Sequence, residues 1–177
     1  MPRPQRKDFP DFSKLNLDFK QLLRKLPALI GNTALNFYKD SWNREAYIDA
    51  TRERWPKRKR TTGKARRTLV KTGRLRRSLR YRTQGNLIRI FTDVPYAQIH
   101  NEGGRVSGTA SVKAHTRRPS RRVRRPVAVR AHTRRVSFNM PQRQFMDIPG
   151  TRMSRLLEKR LRLLVERAVT QVVNKTR

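Results

Sequence analysis

Apolar positions along the chain mark two helical ends and an alternating middle. From Asp18 onward, Phe19, Leu22, Leu23 and Leu26 recur three to four apart, with Asp18 as a cap. Pro27 either breaks the hydrogen-bond ladder or starts a new helix at its first position. Leu29, Ile30, Ala34, Phe37, Tyr38 and Trp42 carry the same spacing on to about Arg44, which predicts a long amphipathic helix whose stripe is core. At the other end Leu156, Leu157, Leu161, Leu164, Val165, Ala168 and Val172 predict a last helix, to about Val173. Thr151 or Ser154 can cap it, and Lys175 and Arg177 follow its C-terminal end, where cations are favoured.

Between the helical ends the period changes. Thr72 to Leu79 reads as a short helix, with Thr72 and Gly73 at its start and Leu75 and Leu79 on one face. Two extended runs follow around Gln84-Gly85-Asn86, the second being Leu87 to Thr92, rich in β-branched and aromatic side chains. Pro95 can open one helical turn that Gly103-Gly104 closes. Upstream, Glu45 to Gly63 reads as an irregular loop, with Trp55 packed inward and Lys57-Arg58-Lys59-Arg60 outside. Residues 1–17, with Pro2, Pro4 and Pro10 among charged residues, form an extended arm or a frayed terminus. Phe9, Phe12, Leu15 and Leu17 are its possible anchors on another surface.

One stretch nearly repeats itself. Val112-Lys113-Ala114-His115-Thr116-Arg117-Arg118 returns as Val129-Arg130-Ala131-His132-Thr133-Arg134-Arg135. Both copies alternate as the two strands of one ribbon would, with Pro119 to Pro126 as an arginine-rich tip between them. The other reading of residues 105–136 is a basic loop that orders only on contact. Val136 to Met140 extends the second strand until Pro141 stops it, and Phe145 anchors the following connection. Residues 18–177 thus read as one α+β domain. Its N-terminal and C-terminal helices pack on a small antiparallel sheet that carries a long basic hairpin or loop.

Two blocks in this order, Thr72-Gly73-Arg74-Leu75-Arg76-Arg77-Ser78-Leu79 and Pro95-Tyr96-Ala97-Gln98-Ile99-His100-Asn101-Glu102-Gly103-Gly104, resemble the virion-morphogenesis, or tail-completion, proteins of tailed bacteriophages. So do Leu35 to Trp42 and the later Met140 to Met146, and the resemblance runs from about Leu35 to the C-terminus. It implies a structural protein assembling as a homo-oligomeric ring at the head–tail junction. The portal-side connector would lie on one side, and the tail tube or terminator on the other. It also implies assembly in the host bacterial cytoplasm and residence in the virion. Tyr96, His100, Glu102, Arg143 and Phe145, which lie in the family-like blocks, are the candidate subunit-interface positions; core packing is the alternative role, above all for Tyr96 and Phe145.

Composition sharpens this picture through charge. The 177 residues carry a formal net charge of +33 and only 35% hydrophobic residues, which implies a modest core and an anionic neighbour. Double-stranded DNA, touched at phosphate without reading sequence, is the first candidate. Arg117, Arg118, Arg121, Arg122, Arg124 and Arg125 would make that contact, with Lys57, Arg58, Lys59 and Arg60 as a second cluster. An acidic virion protein is the alternative for the same arginines. A cellular RNA- or DNA-binding protein, such as a ribosomal component, is the alternative for the whole chain, although its aromatics do not interleave on a strand platform.

Candidate chemistry is sparse. Without cysteine there is no disulfide, thiolate metal site or Cys nucleophile. His100, His115 and His132 lack metal-ligand spacing, and the twelve acidic residues are scattered. His115 and His132 could pair across the hairpin, yet a metal site needs further ligands. No run is long and apolar enough for a membrane span or a signal peptide. The sequence therefore predicts no enzyme, cofactor, metal or membrane partner.

Overall fold

A computed structural model describes residues 12–57, 67–119 and 124–175 of the chain. Helix α1, Phe12–Arg44, is a single helix of 33 residues, about 50 Å long at 1.5 Å per residue. It takes in residues 12–17, placed in the arm by their sequence, and it continues through Pro27. Its buried residues begin only at Gly31. Pro27 therefore sits where the helix projects past the core, and the bond it removes, to the carbonyl of Leu23, lies in a stretch open to water.

Glu45 ends α1 in the left-handed conformation (φ 47°), and the chain doubles back as β1, Ala46–Ile48, and β2, Arg52–Arg54. This antiparallel pair falls in the stretch expected to be irregular. Its second strand, Arg-Glu-Arg, has no apolar alternation to betray it, so backbone pairing alone defines it. The Glu45 carbonyl accepts the Trp55 N–H at 2.8 Å, and its Oε1 accepts the Thr68 N–H at 2.6 Å, so one residue ties three segments. Helix α2, Arg74–Ser78, leads into the hairpin of β3, Arg80–Gln84, and β4, Leu87–Phe91, which turns at Gly85-Asn86 as its sequence predicts. Tyr81 of β3 lies against α1 at Gly31. A Cβ there would sit 2.4 Å from the ring, so only glycine permits the approach.

Helix α3, Ala97–Glu102, precedes the long ribbon. Strand β5, Gly104–Val112, pairs antiparallel with β8, His132–Met140, and beyond them β6, His115–Arg117, pairs with β7, Val127–Val129. The hairpin reading of residues 105–136 is thus the observed one. The repeated heptapeptides face each other only where Val112 pairs with His132 and His115 with Val129, and the break between the two ladders falls at Lys113-Ala114 and Arg130-Ala131. There each histidine Nδ1 bonds the carbonyl two residues back, His115 to Lys113 at 3.0 Å and His132 to Arg130 at 2.9 Å. The two histidines face Val129 and Val112 rather than each other. No described residue from Arg105 to Arg135 is buried, so the ribbon projects from the body.

Helix α4, Arg155–Lys175, runs back antiparallel along α1. Arg160 lies over the Phe37 ring, and Lys175 reaches Asp18 at 3.4 Å. The core sits where the C-terminal third of α1 meets everything else. Trp42 packs edge-on against Trp55 and against Phe145, at ring distances of 5.7 and 4.8 Å, with Leu75, Leu79 and Leu157 around them. Such aromatic pairs add roughly 0.5–1.5 kcal/mol each beyond area burial. Among the described residues the fold is α+β, with the strands in four separate two-stranded ribbons.

Candidate functional site

The two sequence blocks meet in space and hold each other. Asn101, buried on α3, accepts the backbone N–H groups of Phe145 and Met146 through Oδ1, at 2.9 and 3.1 Å. The Arg143 N–H donates to the His100 carbonyl at 2.8 Å, and Arg143 Nε donates to the Pro56 carbonyl at 3.0 Å. Gly103, at φ 73°, ends α3 against the backbone of Gln142, where a Cβ would lie 2.8 Å from the amide nitrogen. One side chain and several backbone contacts of the α3 block therefore clasp the 142–146 connection.

A second cluster centres on Asp147. It accepts the hydroxyls of Tyr38, at 2.7 Å, and Tyr47, and it also receives the Ser154 N–H. Burial, then the hydrogen bond and charge of Asp147, push both phenols far above their ordinary value, so both stay protonated as donors. Ser154 caps α4, accepting the Leu157 N–H at 3.2 Å while donating to the Ile48 carbonyl at 2.9 Å. Asp49 adds a second acceptor, taking the Arg155 N–H at 2.6 Å. These contacts join the ends of α1 and α4.

Beside the clasp opens a groove of about 1190 Å³. The 68–75 segment, α3 and the base of the β5–β8 ribbon form its walls. Leu69, Val70, Tyr96, Phe138, Met140 and Pro141 give it an apolar lining, and Lys57, Lys71 and Arg74 stand along it with no acidic residue among the described lining residues. Leu69 is held in the left-handed region at φ 58°, a strained conformation for a branched apolar residue. Phe138 remains 46% exposed.

The candidate interface positions separate on this map. Phe145 is wholly inside the core, and Arg143 is buried and reaches the surface only at the groove wall. Tyr96 is exposed on the groove and meets His100 edge-on at 5.8 Å. His100 is half-buried, and burial followed by the charge of Arg143 pushes its pKa below the ordinary value. Glu102 is exposed and accepts from Gln98 Nε2 at 3.2 Å. Arg117, Arg118, Arg124 and Arg125 are exposed at the far end of the ribbon, whereas Arg121 and Arg122 lie outside the described residues. Lys57 is exposed at the groove, and Arg58, Lys59 and Arg60 lie outside the described residues.

Sequence reasoning missed Asn101, Asp147 and the groove. The first two are single polar residues that reach partners 44 to 109 positions away, with no periodic signal to find those contacts. Among the described residues no group of three His, Asp or Glu is placed to hold a metal, and no helix is long and apolar enough to cross a membrane.

A family model described as the phage virion morphogenesis family matches residues 43–164, more than half of the chain. The match takes in both blocks, the projecting ribbon and the 142–146 clasp, and it begins just after Trp42. No curated protein and no solved structure matches.

Proposed function

The chain belongs to the phage virion morphogenesis family, and on that footing we propose that it forms a homo-oligomeric ring at the head–tail junction of a tailed phage. The ring joins the portal-side connector to the tail around the passage for double-stranded DNA. The observation that carries this reading is the ribbon from Gly104 to Met140. It projects from the body without a buried residue between Arg105 and Arg135 among those described, and it ends in exposed arginines. An isolated two-stranded ribbon is marginal in water, so such an arm gains its support from neighbours in an assembly. Its tip, up to about 45 Å from its base at 3.4 Å per residue, carries Arg117, Arg118, Arg124 and Arg125 to DNA phosphate. With a net charge of +33, an anionic surface must lie close to many copies gathered in one ring.

The test is a subunit-resolved cryo-EM map of purified particles. A ring at the neck with the arginine tips facing the channel is the expected result. The same ring with its tips turned outward would transfer the basic surface to an acidic virion protein. Absence of the chain from particles would overturn the reading.

A further inference from the structure

The groove beside the clasp calls for an occupant with two properties. It must bring apolar side chains to the lining of Leu69, Tyr96 and Met140, and negative charge to Lys57, Lys71 and Arg74. None of these three cations makes an ion pair among the described residues. The strain at Leu69 supports the same conclusion, because a branched residue kept at φ 58° on a groove wall marks a surface shaped for contact.

The chain itself contains a segment of that chemistry. Asp8-Phe9-Pro10-Asp11-Phe12 combines two of the twelve acidic residues with two phenylalanines in five positions. Phe12, at the start of α1, is 69% exposed and so finds no cover in its own subunit. We infer that Asp8–Phe12 of one subunit docks in the groove of the next, Phe9 and Phe12 on the apolar lining and Asp8 and Asp11 against its lysines and arginine.

Geometry makes the contact intermolecular. The groove adjoins Pro56 and Arg143, next to the Trp42–Trp55–Phe145 cluster at the far end of α1. Thirty helical residues separate Phe12 from Trp42, about 45 Å at 1.5 Å per residue. Phe9 lies only three residues beyond Phe12 and reaches about 10 Å at full extension. The segment therefore cannot fold back into its own groove. A segment at one end of a subunit entering a groove at the other end is a head-to-tail contact, and such a contact repeats around a closed ring. This inference rests on the ring reading and names the joint within it.

The absence of cysteine from the chain gives a clean test. Full-length Pro10→Cys and Lys71→Cys proteins are mixed in equal amounts and oxidised, with Lys159→Cys on exposed α4 replacing Lys71→Cys as the control. The expected product is a disulfide-linked pair containing one of each, with none from the control. The double variant Pro10→Cys/Lys71→Cys should give a ladder of linked oligomers. Adding Asp8→Lys and Asp11→Lys to the Pro10→Cys chain should lower the yield about tenfold, as loss of two exposed charge pairs implies. A disulfide closed within a monomer would overturn the intermolecular assignment. Rings seen by sedimentation without the cross-link would overturn the docking and leave the ring standing. A chain that stays monomeric and uncross-linked, and is absent from particles, would remove both. Capture of a different virion protein by Lys71→Cys in particles would give the groove to that partner and overturn the exchange.

Discussion

Asn101 shows how much one side chain can hold. Its Oδ1 satisfies two backbone N–H groups that burial removes from water. Asn101→Ala should therefore cost about 2–4 kcal/mol, roughly 1–3 for the buried Phe145 donor and less for the partly buried Met146 donor. The midpoint of urea unfolding checks this, with Glu102→Ala, exposed on the same short helix, expected to stay within roughly 0.5 kcal/mol of wild type. His100 carries a pH dependence. Its folded-state pKa is lowered, so its contribution is present above the ordinary histidine value and is lost as pH falls through the folded one. Thermal melts between neutral and mildly acidic pH should show that loss, and His100→Gln should flatten the curve in that window. An unchanged slope in His100→Gln would move the effect away from α3.

At the scale of elements, α4 and the ribbon behave oppositely. Helix α4 is anchored at its first turn, where Ser154 both caps it and reaches the Ile48 carbonyl. Ser154→Ala should destabilise by about 1–2 kcal/mol, at the upper end for a lost cap because the site is buried. The measurement is chemical denaturation followed by circular dichroism. The described arginines at the far end of the ribbon are exposed. Replacing Arg117, Arg118, Arg124 and Arg125 with Gln should leave the melting temperature unchanged while weakening binding to duplex DNA. The dependence of log K on log salt should become shallower by roughly 3–4 if all four meet phosphate. An unchanged salt slope would mean that the tips face protein.

For the whole molecule, charge dominates. The ion pairs Arg44–Asp40, Arg162–Glu158 and Lys175–Asp18 are at or near the surface, and a net charge of +33 leaves most cations facing one another across water. Raising salt from about 0.01 to 0.15 M shortens the screening length from roughly 30 to 8 Å. The isolated protein should therefore melt at a higher temperature as salt rises, whereas its complex with DNA should weaken. Scanning calorimetry over that salt series checks the first half. Much of this architecture was legible in the chain. The three-to-four spacing of Phe37, Tyr38 and Trp42, and of Leu157, Leu161 and Leu164, specifies helices because one face must leave water. The doubled heptapeptide specifies a ribbon because strands pair residue by residue. The β1–β2 pair escaped notice because Arg52-Glu53-Arg54 is held by backbone bonds that any side chain allows. The sequence by itself determined periodicity, charge and the order of the two blocks, since these are local properties of neighbouring residues. Only the tertiary structure decided that Phe145 and Arg143 are interior, that Asn101 and Asp147 are fastenings, and that a groove opens beside them. Those outcomes depend on which distant segments exclude water from one another, and no local pattern records that.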